Sequence, residues 1–446
     1  MTSGHVKVRK KVPAVGRVDF RALGVIFVIA AFPWTLRAES LTDAWAMALQ
    51  SDGTLAAAHS EREAAEADHS AATRQRWPAL DVNGTYTQFE HAPNLDIATP
   101  AGQLQAPIWG HNGYSMAGAD LSVPVWTSGR ISGAIGAAAA GARGASAQEV
   151  RSTADLKLAV AEAYIGVFRA RKALTVAESN VASLKAHADD VQVMYDKEAV
   201  ARSDLLAAQV ALANATQQRL RAANALHLAA AAYNRWVGQP LDRAPDLEEP
   251  MASPSVEAGE PLDQLIAHAL ERRPELAAIS AQQESLEQEA RSERALGLPQ
   301  IALHAGYNHL DNQILDRENF ASIGIGFQWR LFDSGQLQAR TGALRSRAHA
   351  AEQKLAELRS VVTLEVETAV YNHEEAQARI HVAAAAVAQA EENVRIAKEL
   401  YSSELGTNNQ VLDAETLRVV SLTNRDDAAF DLLVAQYRLQ RALGEL

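Results

Sequence analysis

The strongest constraint on this chain is a seven-residue apolar repeat that occurs twice. Val160, Val167, Leu174, Val181, Ala188 and Tyr195 fill one slot of the first copy, and Ala163, Ala170, Ala177, Leu184 and Val191 fill the other. The pattern returns 206 positions later, with Val366, His373, Ile380, Val387, Val394 and Tyr401 in one slot and Ala369, Ala376, Ala383, Ala390 and Ala397 in the second. A heptad of this kind holds one stripe of a long helix against its neighbours. Alanine in most second slots lets helix axes approach closely, which suits a wall of helices better than a globule.

The sequence upstream of each heptad is also paired. A helical stretch over about Leu41–Arg76, notched near Gly53, is echoed at an offset of 221, where Leu262, Ala269-Leu270, Pro274, Leu276 and Leu298-Pro299 match Leu41, Ala48-Leu49, Gly53, Leu55 and Trp77-Pro78. Beyond each proline the period falls to two. Leu80, Val82, Gly84 and Tyr86 alternate with polar residues, as do Ile301, Leu303, Ala305 and Tyr307, so each segment predicts a strand with one apolar face. Each has a partner, carrying Ala117, Ala119, Leu121, Val123 and Val125 in one copy and Ile323, Ile325, Phe327, Trp329 and Leu331 in the other. The expected strands cover about 79–90, 116–127, 300–310 and 320–332, with loops rich in Asn, Pro, Gly and Asp over Glu90–Ser115 and Asp311–Asn319.

A strand of about 10–12 residues is long enough to cross a bilayer when tilted, but four strands cannot close a barrel whose smallest form needs about eight. Two or three copies are therefore implied. A soluble antiparallel sheet that lays its apolar face on helices fits the same alternation.

Turns at Trp126-Thr127-Ser128-Gly129-Arg130 and Phe332-Asp333-Ser334-Gly335-Gln336 lead into long helices over about Arg130–Glu198 and Gln336–Glu404. Shorter helices follow over about Ser203–Val237 and Asn408–Leu443. The short helices flanking each long one hold about as many residues as it does, so two stacked end to end would match its length. Residues 39–237 thus read as a first repeat, 262–446 as a second, and the proline-rich 238–261 as an extended linker.

The first 38 residues carry Lys7, Arg9, Lys10, Lys11, Arg17 and Arg21, then an apolar run from Ala22 to Phe32, and read as a secretory signal peptide. An uncleaved anchor is the alternative, although the run is short for a spanning helix. Removing it leaves 35 Lys/Arg against 53 Asp/Glu, a net charge of −18, which disfavours nucleic acid as a partner. No later run is long and apolar enough for a membrane helix, so any crossing falls to strands. Absence of cysteine excludes disulfides, thiol nucleophiles and cysteine-ligated metals.

In this order and twice over, the helix-strand-strand-helix-helix units resemble the TolC family of bacterial outer-membrane efflux proteins. The resemblance extends over Glu39–Leu446 and includes Ser128-Gly129-Arg130, Asp333-Ser334-Gly335, Val411-Leu412-Asp413-Ala414 and the ending Ala442-Leu443-Gly444. It implies a mainly α fold: duplicated coiled-coil helices forming a periplasmic α-barrel, and two β-hairpins per protomer contributing to a trimeric outer-membrane β-barrel of about 12 strands. The implied function is the exit duct of a tripartite efflux or type I secretion system. Its partners would be a periplasmic adaptor, an inner-membrane pump of the RND or ABC type, and outer-membrane lipid.

The same resemblance assigns a periplasmic gate. Asp204 falls on an acidic link position, Tyr401 on the tyrosine facing it, and Asp413 and Gln410 on the ring positions. Ala201, Arg202, Ser203, Gly406, Thr407 and Asn408 fall on the helix turns that meet the adaptor. Where an arginine is expected the chain has Gly406, with Asn408 nearby, a departure that argues against a strong charged latch. Three copies of Asp413 around a narrow pore would favour cations; a solvated residue in the first turn of a helix is the plainer reading of that aspartate. Tyr195 and Tyr401 also end heptad seams, which fits a core role.

No catalytic or cofactor chemistry emerges. The series Gly133, Gly136, Gly141 and Gly144 lacks the Lys-Ser/Thr ending of a phosphate loop and instead suggests close helix packing. No His-Glu-x-x-His motif occurs, and the His187-Ala188-Asp189-Asp190 and His373-Glu374-Glu375 clusters read as solvated helix faces. A periplasmic coiled-coil adaptor or scaffold is the competing function; it accounts for the heptads but not for two matched amphipathic hairpins.

Overall fold

The computed structural model describes residues 38–91, 93–107, 112–250, 260–311 and 316–446. Apart from Ala38, the segment read as a signal peptide lies outside them. The first repeat contains α1 (Leu41–Ser51), α2 (Gly53–Arg74), β1 (Ala79–Gln88), β2 (Asn94–Thr99), β3 (Gly102–Pro107), β4 (Gly113–Trp126), α3 (Arg130–Asp196) and α4 (Arg202–Trp236). The second contains α5 (Leu262–Arg272), α6 (Pro274–Ala295), β5 (Gln300–Leu310), β6 (Asn319–Gln328), α7 (Gln336–Ser402) and α8 (Asn408–Leu443).

Both notched helices break where the sequence supplies a new start. Asp52 adopts an extended backbone and accepts the Leu55 N–H at 2.8 Å, so it ends α1 and caps α2. In the second repeat Pro274 opens α6, where its missing N–H costs nothing. The long helices α3 and α7 each have 67 residues, on the order of 100 Å at about 1.5 Å per residue.

The short helices divide the length of α3 between them. Trp45 of α1 donates to Lys157 O at 2.9 Å and Arg62 of α2 pairs with Glu149 at 2.6 Å. Further along, Tyr233 of α4 meets Tyr164 and Phe168, and Leu205 and Ala208 meet Ala188 and Val191. Helix α6 of the other repeat lies so close to α3 that a Cβ on Gly133 would come within 2.8 Å of Ser292 N. Gly136 is similarly crowded by Gln288, whereas Gly141 has open space. The glycine series therefore serves packing at its first two members.

A clip joins the start of the first repeat to the linker. Glu39 forms a parallel bridge with Leu247, its N–H donating to Asp246 O at 2.8 Å and its carbonyl accepting from Glu248 N at 3.0 Å. Buried Tyr164 donates to the carbonyls of Glu39 and Glu248, and Tyr233 donates to the Glu39 carboxylate. Burial first, then the neighbouring carboxylates, push both phenols well above their ordinary pKa, so they remain hydroxyl donors.

The sheet runs in the order β1-β4-β5-β6, all antiparallel, with β1 and β6 at its edges. Its register aligns Leu80 with Leu121, Leu121 with Ala305 and Ala305 with Ile323, so the apolar sets of all strands share one face. That face is uncovered: Val82 is 80% exposed, Ile325 75% and Ile323 79%. The alternative of a sheet packed on helices is thereby excluded. The opposite face carries Asp81, Asn83, Asp120, Ser122 and His304.

One segment departs from expectation. Residues 90–115 were expected to be loop, yet β2 and β3 form a separate two-stranded hairpin there, pairing Leu95 with Ala106 and Ile97 with Leu104. Its six-residue strands alternate too briefly to outweigh the Thr99-Pro100-Ala101-Gly102 turn that punctuates them. No described helix is long and apolar enough to cross a membrane.

Candidate functional site

The two helix turns at the end of the heptads come together. Glu198 and Glu404 occupy equivalent left-handed positions, with φ of 58° and 62°, and turn α3 into α4 and α7 into α8. Between them lies an apolar plug of Ala188, Val191, Leu205, Val394, Ala397, Tyr401, Val411 and Ala414, contributed by four helices.

A polar relay crosses this plug. His187 Nε2 lies 2.7 Å from Asn408 Oδ1, and Asn408 Nδ2 donates to the Asp204 carbonyl at 3.1 Å. The second bond fixes the amide orientation, leaving Oδ1 as acceptor and making His187 the Nε2–H donor. Both His187 and Asn408 are buried. Tyr401 stacks edge-on against His187 with ring centroids 5.4 Å apart, and its buried hydroxyl has no hydrogen-bond partner among the described residues. Burial, reinforced by the Asp204 charge, raises the Tyr401 pKa.

The residues singled out from sequence thus separate into two groups. Asp204, Asn408 and Tyr401 meet, although Asp204 contributes its carbonyl rather than its carboxylate. Gln410 is engaged in a capping box, its Oε1 accepting the Thr407 N–H at 2.9 Å while Thr407 Oγ1 accepts the Gln410 N–H. Asp413 is exposed one turn further along α8, outside the relay. Ala201, Arg202, Ser203 and Thr407 are exposed on the turns, and a side chain added at Gly406 would crowd Leu400 and Gln410.

Sequence reasoning missed a charged node beside the plug. Glu415, only 1% exposed, accepts from Lys398 Nζ at 2.7 Å and Arg418 Nε at 2.9 Å and from the Ser183 hydroxyl. Burial pushes its carboxyl up, but these bonds outweigh burial and hold it below the ordinary carboxylate range. The node joins α3 of one repeat to α7 and α8 of the other. Its signal was available, because Glu415 follows buried Val411 by four residues and so shares its inward face.

Nothing in this region offers catalysis, and among the described residues no group of three or more His, Asp or Glu is placed to hold a metal. An uncovered apolar sheet on long paired helices, with two helix turns converging at the far end, is the arrangement expected of a protein that enters a membrane by its strands. Residues 265–445 match the family described as outer membrane efflux protein. The match covers nearly all of the second repeat, from α5 to α8, and agrees with the resemblance to the TolC-type outer-membrane channels.

Solved structures with the same fold include the outer-membrane channel OprN, at 17% identity and TM-score 0.80 over 91% of this chain and 90% of that one. VceC from Vibrio cholerae matches at 20% identity and TM-score 0.77, covering 91% and 96%. The open state of MtrE from Neisseria gonorrhoeae matches at 17% identity and TM-score 0.71, covering 91% and 88%. No curated protein sequence matches the chain.

Proposed function

We propose that three copies of this chain form the duct of a tripartite efflux or secretion system, and that it passes substrates handed over by a periplasmic adaptor and an inner-membrane pump. The observation that carries this reading is the sheet itself. Four strands with an uncovered apolar face and two unpaired edges, β1 and β6, leave backbone donors and acceptors that a bilayer cannot satisfy. Pairing β6 of one copy with β1 of the next removes both edges, and three copies give the roughly 12 strands expected of such a barrel.

The converging turns then form the periplasmic aperture, with Asp413 lining it and the exposed turn residues Ala201, Arg202, Ser203 and Thr407 facing the adaptor. The relay of His187, Asn408 and Asp204 holds the two turns together in place of a charged latch. Cysteines introduced on facing positions of β1 and β6, together with in-cell cross-linking, test the assembly. A ladder ending at trimer in the outer-membrane fraction is expected. Recovery of only soluble monomer would support the adaptor or scaffold reading instead.

A further inference from the structure

We propose that the base of the β-sheet carries a lumenal binding site for anionic groups, such as phosphoryl or clustered carboxylate groups, on passing cargo. The proposal rests on the duct reading. Where the strands meet the helices, a groove of about 820 Å³ is lined by Arg74, Arg130, Arg330, His304 and Gln328, and no carboxylate lines it. Such a concentration of cationic donors is out of keeping with a chain that carries −18 after removal of residues 1–38.

Strand phase identifies the face. Most of the strand residues that line the groove, among them Ser122, His304, Gly326 and Gln328, lie on the polar face of the sheet, while Ile301 and Phe327 of the alternate phase also border it. Arg330 continues the polar phase two residues beyond Gln328. Arg74 comes from the last turn of α2, and Arg130 opens α3. Three separate elements therefore bring guanidiniums to one groove.

The arginines are uncommitted. Arg130 donates from Nε to Gln300 Oε1 at 3.3 Å, and among the described residues none of the three guanidiniums pairs with a carboxylate. Other arginines of the helical region are neutralised, as Arg441 is by Asp155 and Glu275. The two repeats also differ here. Asp333 stands at the entry to α7, with its oxygens taken by Gly335 N at 3.0 Å and Leu337 N at 2.8 Å, whereas Thr127 holds the matching place before α3. On the polar face above the groove Asp81 stands opposite Asp120, which accepts from Asn83 at 3.1 Å. Guanidiniums without a protein carboxylate, gathered in one groove, suit a multivalent anion with several oxygens.

The test uses purified protein reconstituted in planar bilayers of neutral phosphatidylcholine, with pyrophosphate added at the barrel mouth. Pyrophosphate is expected to block current, and Arg330→Gln and Arg74→Gln/Arg130→Gln are each expected to raise the half-blocking concentration by about tenfold, the loss typical of a charge-assisted bond. Asp413→Asn, at the other end of the duct, is expected to leave this block unchanged. A wild-type channel that conducts but is not blocked, or variants blocked as strongly as wild type, would overturn the proposal. Variants that alter only retention of phosphatidylglycerol would assign the arginines to lipid and overturn it too. Absence of any conductance would instead count against the duct reading.

Discussion

His187 of the first repeat and Asn408 of the second share a buried 2.7 Å hydrogen bond inside the apolar plug that joins the helix turns. Losing either partner leaves a buried polar group unsatisfied, at a cost of about 1–3 kcal/mol, whereas replacing both with apolar side chains removes the need for the bond. Asn408→Leu is therefore expected to loosen the turns and raise resting conductance in planar bilayers, with His187→Leu/Asn408→Leu recovering much of the closure. Equal conductance in all three proteins would show that the bond does not hold the aperture.

Asp413 contributes no contact to the relay, so its removal should leave folding intact. Asp413→Ala is expected to weaken block of single-channel current by multivalent cations, because a ring of carboxylates focuses negative potential in a narrow opening. Unchanged block would remove Asp413 from the constriction.

Glu415 makes the joint between repeats sensitive to acid. Its folded-state pKa lies below the unfolded value of about 4.3, so its contribution is fully present above that value and is lost as pH falls through the lower folded one. Glu415→Gln should abolish this dependence and cost about 3 kcal/mol, near the low end for breaking a buried ion pair because Lys398 retains access to solvent. Hydrogen exchange around Ser183 and Lys398 should accelerate in the variant at neutral pH. Protection equal to wild type would discount the node.

Two glycines of one series should respond oppositely. Gly133→Ala forces a methyl group against the α6 backbone and is expected to cost about 1–3 kcal/mol. Gly141→Ala meets open space and should be neutral or slightly stabilising, since alanine favours helix. Thermal aggregation of the detergent-solubilised protein would separate the two; equal behaviour would contradict the close α3–α6 contact.

Much of this architecture was legible in the sequence because two periodicities, seven and two, each report a buried or lipid-facing stripe, and because both occur twice. Val160–Tyr195 announced a long packed helix, and Leu80–Tyr86 a strand with one apolar face. The β2–β3 hairpin was not legible, since Leu95 and Ile97 alternate over too short a stretch. At the aperture, sequence pointed to Asp204 and Tyr401 through resemblance, yet it could not reveal that Asn408 reaches the Asp204 backbone. Nor could it show that His187, which lies 221 residues earlier, is the partner of Asn408. Such pairings depend on the meeting of two repeats, and neither heptad encodes the register between them.

The clip at Glu39 bears on how the chain is made. A polypeptide made from its N-terminus delivers Glu39 long before Asp246 and Glu248, whose backbones Glu39 hydrogen-bonds. Tyr164 can meet the Glu39 carbonyl at once but gains its second acceptor, the Glu248 carbonyl, only when the linker emerges. The first repeat holds its beginning by side chains alone until then, so completion of its fold is timed by arrival of the segment that introduces the second.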